Sequence, residues 1–458
     1  MSLWMLMFLG QSLAWDTQNC IQTGDYRAGR PTLSGPVETV DSSNGRFRVH
    51  YTLEGEDTPD GDKDEFGVPL MVERVLSGLS TGEEAFAKRG YRGVNLDDGA
   101  EGSDAIDVYL KHIDANGYAN AVRAESGTKE SCYIRVNSEL GDMGGQLVES
   151  VTLHELQHCV QYAYTTSADT WLYESGATFE QYRAIYDDGL ELALAVLFVD
   201  RLTAPERPLN NSDGRYHYAG FLFMKFWEEY LGADPGRVPA LWEALSFDPN
   251  WRDSLRSESQ RLWQQPFDEV FVEYARFNGF ACAREDGNHY SDTLLPCIAD
   301  VSVPVELVEG GAGTVSVSLS QTEFTASYAQ WAEVSEGKTG VLTCSAPNDS
   351  DGELRVQLMG LDSEGRMMDR TGGRVGDSGE SFSLTLPMET GGSYFGVFAS
   401  TGTGPVSATC VLDEAEVEQD KQGCSCSKSP MLWSSQLFPL GALGMLVFFW
   451  RRKTLKLS

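Results

Sequence analysis

Residues 145–164 of the 458-residue chain read GQLVESVTLHELQHCVQYAY. Leu147, Val151, Leu156, Val160 and Tyr164 recur at spacings of four or five, the apolar stripe of an amphipathic helix. His154 and His158 stand four apart on it, so both rings project from one face, one turn apart. That separation lets two imidazoles reach a single zinc ion with bonds of ~2.0–2.1 Å. Glu155 is rotated off that face, too far round to be a further ligand but near enough to hydrogen-bond a water beside the ion. Zinc lowers the pKa of such a water towards ~7, and the glutamate takes its proton. With six histidines in the chain, an accidental H-E-x-x-H arises in on the order of 1% of such sequences. Burying these three polar side chains with no ion to bind would cost several kcal/mol.

A catalytic zinc needs a third protein ligand and an open position. No His-x-x-Gly-x-x-His extension follows, which excludes a three-histidine site. Glu174, in WLYESGATFEQY, is the preferred third ligand. The gap from His158 holds a helix end, a loop around Ser167-Ala168-Asp169 and the entry to another helix. Gly176 and Ala177 beside it would let the two helices approach. Glu180, on a different face of the same helix, is the competitor. Amide hydrolysis also needs a donor for charge developing on the carbonyl oxygen, and Tyr216, His217 and Tyr218 are the candidates. His50, His112 and His289 have no acid or histidine at metal spacing in the sequence and read as structural.

Around this helix the chain divides by texture. FRVHYTL (47–53), AIDVYLKHI (105–113) and SCYIRVNSEL (131–140) read as strands, the last able to serve as a sheet edge for an extended peptide. An amphipathic helix follows Pro69, and further helices are expected over 170–202, over 214–232 and through Trp242, Leu262 and Phe271. After Cys297, short alternating runs (GTVSVSLS, GVLTCSAP, ELRVQLMGLD, SFSLTLPM, YFGVFAST, VSATCVLD) separated by Gly, Ser, Asn and Asp indicate a β-sandwich. Asp60, Asp62 and Asp64 have the odd-position spacing of a calcium loop, but Glu65 and Met71 stand where an EF-hand needs Gly and Glu. Calcium is therefore a second cation the acidic loops could take, outside that motif.

Lys and Arg total 35 against 68 Asp and Glu, a net charge of −33 that repels phosphates and excludes nucleic acid as a partner. The expected partner is a protein or peptide substrate. Nine cysteines suit an exported chain, with 282–297 and 344–410 as expected disulfides and 132–159 as a third. At the N-terminus a short apolar core (3–9) and Ser12-Leu13-Ala14 read as a signal peptide, although no Lys or Arg precedes them. At the other end, residues 431–450 are apolar and long enough to cross a bilayer of ~30 Å, and Arg451, Arg452 and Lys453 follow.

Two resemblances join these readings. QGCSCSKSP, the apolar segment and the arginines resemble the C-terminal sorting signal of myxobacteria and relatives (MYXO-CTERM). That resemblance implies delivery to the surface, at the outer membrane of a Gram-negative bacterium, with release after the tail is cut. HELQHCVQ followed by WLYESGATF resembles the glutamate zincins (gluzincins). With FRVHYT, DGDKDEFGVP and IDVYL it is more closely similar to secreted metalloproteases of myxobacteria and related bacteria, over roughly residues 45–230. By position the resemblance implies His154, His158 and Glu174 as zinc ligands and Glu155 as base, though the usual gap to the glutamate is a few residues longer.

The expected class is α+β: a zincin-like metalloprotease domain followed by a C-terminal β-sandwich domain. The expected boundaries are a signal peptide (1–14), the catalytic domain (15–299), the sandwich (300–412), an acidic linker with the Cys motif (413–430), the membrane or sorting helix (431–450) and a basic cytoplasmic tail (451–458). The expected activity is that of an exported zinc-dependent metalloendopeptidase. The alternative is a catalytically inactive zincin-like module for surface binding or adhesion.

Overall fold

The computed structural model describes residues 30–97, 99–123, 130–185, 191–284, 286–290, 301–319, 323–334, 336–345, 352–375, 381–388, 392–402 and 404–416. The expected signal peptide, Cys20, Cys297, the Cys motif, the apolar segment and the basic tail lie outside the described residues. Among the described residues no helix is long and apolar enough to cross a membrane.

Five strands build the first sheet. β1 (Val37–Asp41) and β2 (Phe47–Thr52) precede helix α1 (Leu70–Arg89), and β3 (Ile106–Lys111), β4 (Gly117–Arg123) and β5 (Glu130–Asn137) follow it. The order is β1-β2-β3-β5-β4, with β2, β3 and β5 parallel and the two outer strands antiparallel. Val49, Val108 and Ile134 are fully buried in a core shared with Val75 and Leu79 of α1 and with Leu153 and Leu156 of the helix that carries the histidines.

The sequence expectation of a sheet edge at 131–140 is corrected here. β5 is internal, bonded to β3 on one side and β4 on the other, and β4 is the edge. Its sequence, GYANAVR, is too poor in β-branched and aromatic residues to announce a strand.

The helical layer comprises α2 (Gly145–Tyr162), α3 (Thr170–Ile185), α4 (Glu191–Thr203), α5 (Tyr216–Ala219), α6 (Phe221–Glu229), α7 (Arg237–Phe247), α8 (Trp251–Trp263) and α9 (Phe267–Gly279). The segment expected as one helix over 170–202 is thus described as α3 and α4, and that over 214–232 divides into α5 and α6 at Gly220. Large aromatics fill the space between helices: Trp171 packs edge-on against Phe223 and Trp251, and Phe223 against Tyr274.

Two further sheets stack face to face. One holds β6 (Glu306–Val308), β8 (Thr325–Val334), β10 (Leu354–Leu361), β11 (Met367–Val375) and β13 (Gly392–Ser400) in the order β11-β10-β13-β8-β6. The other holds β7 (Gly313–Leu319), β9 (Lys338–Ser345), β12 (Ser381–Met388) and β14 (Val406–Glu416) in the order β12-β9-β14-β7. Between them Val317, Leu342 and Leu386 meet Trp331, Val356 and Phe398 in a second core. β14 runs through Glu416, paired with Lys338 of β9, so the sandwich continues past the expected boundary at residue 412.

Because side chains alternate along a strand, β10 and β13 feed both cores: Leu358 and Phe398 face inward, while Met359, Phe395 and Val397 join the helical core. Polar contacts reinforce this join. Tyr328 Oη donates to the Ala275 carbonyl at 2.8 Å, and Glu273 accepts from Gln357 Nε2 and Arg370 Nη1, each at 2.6 Å.

Candidate metal centre

Helix α2 is buried from Ser150 to Tyr162, so its polar side chains must find partners inside the protein. His154 and His158 do so together. Their ring centroids are 4.8 Å apart, and Glu174 reaches across from α3 to both. Glu174 Oε2 lies 3.2 Å from His154 Nε2 and 3.5 Å from His158 Nε2. Four donors around an ion at ~2.0–2.1 Å stand ~3.3–3.4 Å apart when tetrahedral, so these separations suit a single small cation. The donor set could hold a metal ion, and it is the one such cluster of three among the described residues.

Electrostatics follow the geometry. Burial opposes charge on Glu174, yet the two imidazoles hold its carboxyl well below the ordinary range. Burial likewise opposes a cationic His158, but Glu174 outweighs it and raises the imidazole to about 9. Both shifts have the same origin, a carboxylate at hydrogen-bond distance from a ring nitrogen.

The far ring nitrogens are also engaged. His154 Nδ1 is 3.1 Å from Gln181 Oε1, and His158 Nδ1 is 2.8 Å from Gln161 Oε1. The approach of α2 and α3 depends on a small residue: a Cβ on Gly176 would stand 2.8 Å from Gln161 Nε2.

Glu155 is directed towards the sheet edge, against β4. Burial raises its carboxyl, the histidines pull it down, and the Ala119 amide of β4 donates to it. The Ala119 carbonyl accepts from Tyr162 Oη at 3.2 Å, so α2 engages both backbone groups of this edge residue. Space for the carboxylate exists because residue 117 is glycine; a Cβ there would lie 2.7 Å from Glu155 Cγ and 2.8 Å from Oε1.

Glu180, the competitor for the third position, is committed elsewhere. It pairs with Arg89 at 2.7 Å and accepts from Tyr91 Oη at 2.7 Å. Of the three oxyanion candidates, Tyr216 directs its hydroxyl to the carbonyls of Ala204 and Arg207, at 2.9 and 3.3 Å. His217 Nδ1 donates to the Ser212 carbonyl at 3.0 Å, so its neutral ring carries a lone pair, not a hydrogen, on Nε2. Tyr218 places its ring 6.0 Å from that of His154.

The remaining histidines do have acidic partners: His50 with Asp107 and His112 with Glu139, which lie far off in the sequence, and His289 with Asp286, only three residues earlier and overlooked in the sequence. In the acidic loop, Asp64 Oδ1 accepts from the amides of Phe66 and Val68 at 2.9 and 2.8 Å, which spends it on the turn.

Disulfides join Cys132 to Cys159 and Cys344 to Cys410. Cys282 is also disulfide-bonded, and its expected partner Cys297 is outside the described residues. Such bonds persist in an oxidising setting, extracellular or periplasmic.

Sequence reasoning missed Gln161, Gln181, Gly117 and Ala119. Gln161 had a local signal, its place one turn after His158; the others act across the fold.

No family model and no curated protein matches the chain. Among solved structures, the pre-peptidase C-terminal domain of a collagenase from Bacillus anthracis aligns at 11% identity over 24% of this chain and 95% of its own, with a TM-score of 0.19. A surface-associated copper-binding protein of Methylomicrobium album aligns at 7% identity over 24% and 96%, with a TM-score of 0.20. A periplasmic inhibitor of g-type lysozyme from Aeromonas hydrophila aligns at 13% identity over 24% and 97%, with a TM-score of 0.17. Scores this low support no inference about fold or function.

Proposed function

We propose that the protein is an exported zinc metallopeptidase whose catalytic domain is zincin-like. The observation that carries this reading is the meeting of His154, His158 and Glu174 at cation-binding distances, with Glu155 beside them against the sheet edge.

His154, His158 and Glu174 would hold the zinc, which when bound would supply Lewis acidity to a peptide carbonyl and bring the pKa of a water towards ~7. Glu155 accepts the proton of the attacking water and passes it to the departing amine nitrogen. Its carboxylate keeps one orientation because the Ala119 amide holds it and Gly117 leaves it room. β4 is an edge strand; Glu155 and Tyr162 occupy the backbone groups of Ala119, so an extended peptide would pair with β4 beyond that residue and run close to the base. Tyr218 is the hydroxyl we assign to the developing oxyanion, since Tyr216 is turned away and neutral His217 has no proton on Nε2.

The sorting-signal resemblance extends the proposal to location: delivery to the cell surface, with the tail cut in the mature protein. The metal site is tested by zinc content. One zinc per chain is expected in purified protein, with none retained after His154→Ala or His158→Ala, because two donors hold zinc poorly. Wild-type protein that takes up no stoichiometric zinc when grown and purified with it would end the proposal.

A further inference from the structure

We infer that Gln161 and Gln181 are positioning residues that decide which nitrogen each histidine offers to the ion, an inference that rests on the metal-site reading above. A neutral imidazole has one N–H and one lone pair, and only the lone pair binds a cation. A glutamine amide has its own ambiguity, between oxygen and nitrogen.

At Gln161 a third group resolves both. The Tyr173 carbonyl can only accept, and it lies 3.0 Å from Gln161 Nε2, so the amide nitrogen faces it. Gln161 Oε1 must then face His158 Nδ1, at 2.8 Å, and an amide oxygen can only accept. His158 therefore keeps a proton on Nδ1, so that Nε2, the atom 3.5 Å from Glu174 Oε2, is the nitrogen left to give its lone pair to an ion that takes the place of the proton there. Tyr173 immediately precedes Glu174. The turn of α3 that supplies the third donor thus also fixes the tautomer of the second, through one buried side chain.

The arrangement at His154 is parallel but softer. Its Nδ1 meets Gln181 Oε1 at 3.1 Å, and Gln181 Nε2 meets Ser150 Oγ at 2.6 Å, one turn earlier on α2. A hydroxyl can donate or accept, so Ser150 permits this orientation where Tyr173 compels its own.

Both orienting groups are neutral amides. A carboxylate at either place would strengthen the imidazole as a donor; an amide fixes the ring while leaving Glu174 as the sole anionic donor. Gln157 is the natural control. It lies on the same helix with the same burial, and neither of its amide atoms has a hydrogen-bond partner.

The test is zinc affinity of the full-length protein, by competition with a chromogenic chelator, beside thermal melting of each metal-free variant. Gln161→Met and Gln181→Met should each weaken zinc binding by about 10–100-fold. Gln157→Met should leave it unchanged, and Gln161→Glu, which keeps an acceptor for Nδ1, should recover most of what Gln161→Met loses. Gln181 is only half-buried, so Gln181→Met decides the matter even if Gln161→Met does not fold. If wild type binds zinc and these variants bind it as tightly as Gln157→Met, the inference is overturned and the metal site stands. If wild type binds no zinc, both are overturned.

Discussion

Glu155 and Gly117 work as a pair. The carboxylate occupies the place that any side chain at 117 would claim, and the Ala119 amide two residues on holds it there. Gly117→Ala forces the base to move, because the added methyl would meet Glu155 Cγ and Oε1 inside van der Waals contact. Misplacing a catalytic group by about 1 Å costs on the order of 10²-fold in rate, so peptide hydrolysis should fall by about that factor. Zinc content should not change, since the three atoms nearest an added Cβ at 117 all belong to Glu155. Steady-state kinetics beside metal analysis separates these effects; equal loss of both would show that the glycine serves the fold and not the base.

At the level of elements, α2 is the part of the molecule most exposed to failure. It carries two of the proposed zinc donors and the proposed base, and the Cys132–Cys159 disulfide ties it to β5 one residue from His158. The bond spans a sequence separation of 27, for which chain-entropy arguments give ~3–4 kcal/mol. Replacing both cysteines with alanine should lower the urea midpoint accordingly and weaken zinc binding; an unchanged midpoint would contradict this. Much of α2 was legible in the sequence, because a period near 3.6 and histidines four apart are local signals. Glu174 was also within reach, since a small-residue stretch marks where α3 can approach. The edge strand was not. Gly117 leaves room for Glu155, a contact made across the fold, and GYANAVR has too little alternation to announce a strand. Gln161 was visible but had no meaning until the Tyr173 carbonyl stood beside it. β8 and β11 were missed for a related reason: β8 packs into a core on each of its faces, and β11, MMDRTGGRV, is rich in glycine and charge, so neither shows a clean period of two.

Across the whole molecule, the helical part and the sandwich share a polar joint around α9. His289 sits in it, stacked on Phe280 and bonded to Asp286 and Arg276. Burial, and then the Arg276 guanidinium, bring its pKa down to about 4 against the pull of Asp286. In the unfolded chain the same ring takes up a proton near ~6.5, so the unfolded state binds more protons between the two values. Stability is therefore full above about 6.5 and is lost as pH falls towards 4, by on the order of 3 kcal/mol from this group. His289→Gln should shrink that loss, read as the difference between urea midpoints above and below the window; an identical pH dependence would rule the group out. The central claim concerns chemistry, and one comparison reaches it directly: zinc content and peptide cleavage measured together on wild type and Glu155→Gln. The substitution keeps the size of the side chain and leaves the three donors in place, but the amide cannot take a proton from water. One zinc per chain in both proteins is expected, with cleavage lower by ~10²–10⁴-fold in the variant. Equal cleavage by the two would contradict the assignment of Glu155, and zinc held tightly by both with no cleavage by either would make the protein a binding module instead.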